Sequence, residues 1–250
     1  MALDFTEIVR LFTVKKLFIL SFLLLGSSAF SQGQTSPVWT CGPLRPPNQY
    51  GPWDYRTDRD KLPIVLGAHF TPAVEALIRG NTTVTPGTDI AYTLRAIPNN
   101  HRALIAMVRL GERDKTIQPV GSTYTIDCWF ERAILFRPDD SIVRMIYSTY
   151  LNSKARAPEA NTQLEIATTY AKDSGFTHYN IGLHYFDLRN YDKALIQAHK
   201  ALSLGFTQTA LRDQLQSVGK WTEPPVLPTP PDDAASAPAA ATSAPAAQSD

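Results

Sequence analysis

The 250-residue chain carries 24 Lys and Arg against 23 Asp and Glu, a formal charge of +1. With no basic stripe and no acidic block, it lacks the electrostatic footprint of a nucleic-acid binder. Its length suggests one or two domains before the ends are set aside.

Residues 1–31 read as an export signal. Arg10, Lys15 and Lys16 precede an apolar run, Leu17 to Leu25, and the small residues Gly26, Ser27, Ser28 and Ala29 follow. The run is shorter than the roughly 20 residues that a bilayer span requires. A cleaved signal implies a periplasmic or secreted protein with no stable membrane insertion afterwards; an uncleaved anchor is the alternative reading.

Residues 32–98 form a Pro/aromatic-rich amino-terminal segment with short helices. Pro43, Pro46, Pro47 and Pro52 make its start extended or turn-rich, with Tyr50, Trp53 and Tyr55 interspersed. Thr71-Pro72 opens a helix expected to run through Val74, Leu77 and Ile78 to a stop at Gly80, because Thr can cap and Pro suits the first helical position. Thr88–Ile97 is a further helix or turn, ended before Pro98. The sequon Asn81-Thr82-Thr83 matters only in a host that glycosylates such sites.

Residues 99–222 carry helical periodicity. Asn100–Leu110 presents Ala103, Leu104, Met107, Val108 and Leu110; Gly111–Ser122 reads as an insertion; Thr123–Phe136 is the next helix, closed by Pro138. The clearest signal lies in 175–208. A first helix contains Tyr179, Ile181, Gly182, Leu183, Tyr185 and Phe186, a turn spans Asp187 to Tyr191, and a second helix runs from Asp192 to Leu204. This stretch resembles a tetratricopeptide repeat, which places a small residue at Gly182, an aromatic at Tyr185, and Ala at Ala194 and Ala201. Moving back 34 residues maps these positions to Ser148, Leu151, Ala160 and Ala167, and maps Ala198 to Leu164. A further step reaches Ala133, Phe130 and Ile126. Repeats are thus expected at 141–174 and 175–208, with a degenerate one at 99–140. A capping helix at 207–218 would close the stack, with Trp221 packed against it. The expected fold is all-α: a short tetratricopeptide-like solenoid of antiparallel helix hairpins, preceded by an irregular helical amino-terminal segment.

Residues 223–250 are rich in Pro, Ala and Ser and hold too little apolar surface to offset the entropy of ordering, so they read as a disordered tail. The phrases Tyr50-Gly51-Pro52-Trp53-Asp54-Tyr55-Arg56, Gly67-Ala68-His69-Phe70-Thr71-Pro72 and Tyr92 through Leu104 resemble bacterial envelope proteins that couple such a segment to a few repeats. That resemblance implies no reaction.

In tetratricopeptide folds the first helix of each hairpin lines a concave face. Tyr179, Leu183, Phe186 and Asp187 share one stripe of that helix, and Met145, Thr149, Asn152 and Ser153 occupy the same columns one repeat earlier. Such a stripe suits an extended peptide or a partner helix; the competing reading is packing against the neighbouring repeat. Cys41 and Cys128 are either a disulfide of an oxidising compartment or two small buried apolar residues.

His69, His101, His178, His184 and His199 lack metal-ligand spacing, and no nucleophile, phosphate-loop or dinucleotide motif is present. No catalytic residue, metal or cofactor is therefore assigned. The expected function is a protein-interaction scaffold of the bacterial envelope, with a protein or peptide partner. The alternative is a small ligand-binding protein or enzyme with a site built from Asp54, His69 and His101, between the amino-terminal segment and the first hairpin. A third possibility is a structural role in envelope assembly, with the tail as spacer.

Overall fold

The computed structural model describes residues 41–45 and 49–224. The expected export signal at 1–31 lies outside the described residues, as does the expected tail from residue 225 onward. The described residues form ten helices and no strand. In chain order these are α1 (Leu62–His69), α2 (Pro72–Glu75), α3 (Pro86–Ala96), α4 (His101–Asp114), α5 (Ile126–Phe136), α6 (Ser141–Ser153), α7 (Ala157–Ala171), α8 (Gly175–Asp187), α9 (Tyr191–Ser203) and α10 (Ala210–Ser217). None of them is long and apolar enough to cross a membrane.

Local chemistry explains most of the starts. The side chains of Asn100, Thr125, Asp140, Ser174 and Asn190 each accept a backbone N–H of the helix that follows. Such a cap contributes about 1 kcal/mol by satisfying a donor that the helix cannot. Helices α1, α2, α3 and α7 have no side-chain cap and carry Pro in the first turn instead, where its missing N–H costs nothing.

Two expectations need correction. The helix expected from Thr71 to Gly80 stops at Glu75, because Leu77 turns left-handed with φ of 60°. There the backbone closes through Ile78 N to Ala73 O at 2.9 Å, and the Leu77 side chain packs on the core. Helix α4 continues past Leu110 and Gly111 to Asp114, so the insertion shrinks to residues 115–125 and opens at left-handed Lys115. Gly111 is kept inside a helix by close approach: Ile126 and the Thr116 carbonyl occupy the space a Cβ would fill.

Residues 154–156 join α6 to α7, and 188–190 join α8 to α9, so each pair folds back on itself. Helices α6 and α8 start 34 residues apart, as do α7 and α9. Helix α8 packs on both α6 and α7, and α10 covers the far side of α8 and α9. The recurring columns are all buried: Gly182 and Ser148, Tyr185 and Leu151, Ala194 and Ala160, Ala198 and Leu164, Ala201 and Ala167. So are Ala133, Phe130 and Ile126 on α5. Gly182 is small because Gln197 Cβ and the Ala194 carbonyl would lie 3.3 and 3.4 Å from an added Cβ, with Leu211 closer still. The contact thus involves α10 as well as the hairpin partner.

Helices α2 to α6 enclose one core around Phe130, Trp129, Leu104 and Tyr150. A second core around Ile181, Tyr185, Leu164 and Leu211 holds the carboxyl-terminal hairpins together. A smaller one joins Leu62 and Val65 of α1 to Ala96 and Ile97, flanked by Tyr50, Trp53 and Tyr55.

Candidate docking stripe and buried charge network

The expected stripe divides into packed and open parts. Tyr179, Leu183 and Phe186 are half-buried and pack against the second core. Tyr179 meets the Phe206 ring at 4.9 Å, and Phe186 meets Tyr191 at 5.2 Å. Asp187 is exposed and Asn152 half-buried. Met145 is only 5% exposed and is a member of the second core, so it offers no surface to a partner. Across the two first helices, Thr149 Oγ1 lies 3.2 Å from His184 Nδ1. Burial holds the His184 imidazole below its ordinary value, with nearby Asp187 opposing.

Two apolar residues of this face were not singled out from the sequence. Phe176 is 58% exposed, one turn before Tyr179, and Ile142 stands one 34-residue period earlier at 38% exposure. The helical spacing of Phe176, Tyr179, Leu183 and Phe186 was available as a signal. Phe176 falls in the first turn of α8, which begins at Gly175, so this spacing extends the stripe by one turn.

Tyr179 also walls a cleft of about 230 Å³ at the carboxyl-terminal end of the stack, completed by Ala198, Ala201, Phe206, Leu211, Arg212 and Trp221. Phe176 rests edge-on against Phe206 at 5.8 Å. Trp221 is fixed by the His199 ring at 5.2 Å, by the Arg212 guanidinium at 5.4 Å, and by donation from its Nε1 to Glu223 Oε1 at 3.0 Å.

The residues of the alternative site fall into two separate networks. Asp54 and His101 belong to the first. Asn99 Nδ2 donates to Asp54 Oδ1 at 2.7 Å and to Asp140 Oδ2 at 2.9 Å, while its Oδ1 accepts the Tyr55 N–H. His101 Nε2 donates to Asp140 at 3.0 Å. Arg56 Nη2 reaches Asp54 at 3.1 Å and Asp139 at 3.0 Å. Arg137 Nε lies 2.7 Å from Asp54 Oδ2, a charge contact without hydrogen-bond alignment. Asp140 also caps α6. Burial would raise the Asp54 carboxyl, but hydrogen bonds from Arg56 and Asn99 outweigh it and hold the group well below the usual carboxylate range. Burial would likewise raise the Asp140 carboxyl, but His101, Asn99 and Arg56 together outweigh it and lower the group. All four carboxylate oxygens are engaged, which describes a clasp between the amino-terminal segment and the α3–α4 and α5–α6 junctions.

His69 sits in the second network. Its Nδ1 lies 2.8 Å from Asp89 Oδ1, and its ring stacks on Tyr92 at 3.8 Å. Asp89 also accepts from the Asn81 N–H at 2.7 Å and from Thr83 Oγ1 at 2.8 Å, which pins the sequon loop to α3. Burial pushes the Asp89 carboxyl up, but bonds from Thr82, Asn81, His69 and Thr83 outweigh it and set it at about 2, against 3.8 in the ordinary group. The folded chain therefore disfavours protonation. This contribution is complete above about pH 5, is lost as pH falls from about 4 to 2, and is worth on the order of 2 kcal/mol. Thermal melts should show a fall in Tm over that acid range, smaller in Asp89→Asn; an identical fall in both proteins would refute the assignment.

Cys41 and Cys128 form a disulfide, with Cα atoms 5.3 Å apart. Glu131 Oε2 lies 3.1 Å from Cys41 Sγ. This trio is a metal-like cluster by distance, but sulfurs bonded to each other are not thiolate ligands. Beside it Arg132, fully buried, donates from Nη1 to the carbonyls of Cys41, Gly42 and Pro43 at 2.8, 3.1 and 2.9 Å. Its guanidinium lies over the Tyr124 ring at 4.7 Å.

No family model matches the chain, and comparison with the curated proteins and with the solved structures finds no match to it.

Proposed function

We propose that the chain is a non-catalytic helical-repeat module of the tetratricopeptide type, acting in the bacterial periplasm or as a secreted protein, and binding a peptide or helix of a protein partner on the first-helix face. One observation carries the reading. An exposed Phe176 continues into half-buried Tyr179, Leu183 and Phe186 along a single helix face that ends in exposed Asp187. A face of this kind buries apolar side chains of a partner and sets their orientation at its charged end. The 34-residue spacing of the hairpins and the burial of their small-residue columns support the repeat assignment.

The test replaces Phe176 with a photoreactive amino acid in the full chain and identifies the adduct formed in the native envelope. Phe176→Asp should weaken capture of that partner by about 30-fold, as loss of a central aromatic contact does. Because Phe176 is 58% exposed and packs only at the surface against Phe206, Tm should change by no more than a few degrees. Undiminished capture by Phe176→Asp would place the binding surface elsewhere.

A further inference from the structure

The cleft at the carboxyl-terminal end lies beside the start of a proline run, and the geometry points to that run, residues 224–231 of this same chain, as its occupant. Pro224-Pro225-Val226-Leu227-Pro228-Thr229-Pro230-Pro231 holds five prolines in eight positions. Such a segment favours the polyproline II conformation and loses little entropy on binding, and aromatic-lined grooves are the surfaces that take it. The cleft has this lining: Tyr179, Phe206 and Trp221, with Ala198 and Ala201 leaving room between them.

The described chain also delivers the run to the rim. His199 Nε2 bonds the Thr222 carbonyl at 2.8 Å, and Glu223 is held by Arg212 at 3.2 Å and by Trp221 Nε1 at 3.0 Å. Pro224, the first proline of the run, is already half-buried. Eight residues in polyproline II span about 25 Å, ample for a cleft of about 230 Å³. A short tether sets an effective concentration in the millimolar range, so a contact of only modest affinity between separate molecules keeps a tethered segment largely bound. The run therefore acts as a self-ligand that covers Tyr179 and competes with anything else that enters. This holds whether or not an external partner uses the first-helix face.

The experiment compares the full wild-type chain with a full chain in which Pro224, Pro225, Pro228, Pro230 and Pro231 are all replaced by Ser. The probe is a fluorescently labelled peptide of residues 224–233, followed by anisotropy. The peptide should bind the substituted chain about tenfold more tightly than wild type. That gain should vanish when Tyr179→Ala or, independently, Phe206→Ala is added, with circular dichroism confirming the fold of whichever variant is scored. No binding to the substituted chain, or equal binding to both, overturns the proposal. So does binding indifferent to both aromatic substitutions. Concentration-dependent dimerisation of wild type that the peptide reverses would assign the run to the cleft of a second copy, and would overturn its occupancy within the chain.

Discussion

Asp140→Ala is expected to cost about 3–5 kcal/mol of folding stability, the range for removing one partner of a buried ionic network. The cost is large because one carboxylate serves five neighbours. It caps α6 through Ile142 and Val143 N–H, receives Asn99 Nδ2, receives His101 Nε2, and lies 3.4 Å from Arg56 Nε. Removing it leaves His101 Nε2 without its acceptor, leaves Asn99 Nδ2 with Asp54 alone, and takes one of three carboxylates from Arg56, which keeps Asp54 and Asp139. At roughly 2–4 °C per kcal/mol for a domain of this size, Tm should fall by roughly 6–20 °C. Asp140→Asn keeps a capping oxygen and loses the charge, so its effect should be smaller. The measurement is chemical and thermal unfolding of the three proteins side by side. A loss below about 1 kcal/mol for Asp140→Ala would mean that the clasp does not hold the amino-terminal segment.

The second large effect concerns the link between Cys41 and Cys128, which are 87 residues apart in sequence. A closure of this length removes about 4–5 kcal/mol of unfolded-chain entropy in the simplest treatment, while measured losses are usually about 2–4 kcal/mol. Reducing the bond, or replacing both cysteines with Ser, should therefore lower Tm by roughly 5–15 °C. The segment from Cys41 to Pro43 stays held after reduction, because Arg132 still donates to three of its carbonyls. The reduced chain should accordingly unfold cooperatively at its lower Tm. An unchanged Tm on reduction would show that the crosslink does not constrain the unfolded chain, and separate loss of the amino-terminal segment would show that Arg132 is no anchor.

These two effects arise where the sequence is least readable. Asn100 is legible as a helix start and does cap α4, while Asp140, which caps α6, carries no comparable expectation from the sequence. What pattern reading cannot supply is that Asn99 bridges Asp54 and Asp140 across separations of 45 and 41 residues. Helix α1 escaped notice for a related reason. It starts at Leu62 after Lys61, which makes no side-chain cap, and buries only Leu62 and Val65, so neither a capping side chain nor a periodic stripe announces it.

The stripe on α8 shows the same division at the candidate site. Its spacing is legible from Tyr179 to Phe186, but spacing gives only a direction around the helix axis. Whether Met145 faces a partner or the core depends on how closely α6, α7 and α8 pack, and they bury it. The cleft is further removed from local pattern, since α8, α9, α10 and Trp221 each supply a wall.

Local pattern alone carries the helical class, the helix start at Asn100, the 34-residue recurrence and the small residues that recurrence demands. All of these come from interactions within a turn or two of helix, or from a repeated need to bury one face against a neighbour. Only the tertiary structure decided where α2 stops, which residues of the stripe stay open, and that the scattered Asp54, Asn99, His101 and Asp140 form one clasp. Those outcomes depend on which distant surfaces meet, and a burial or pairing energy exists only after they have met.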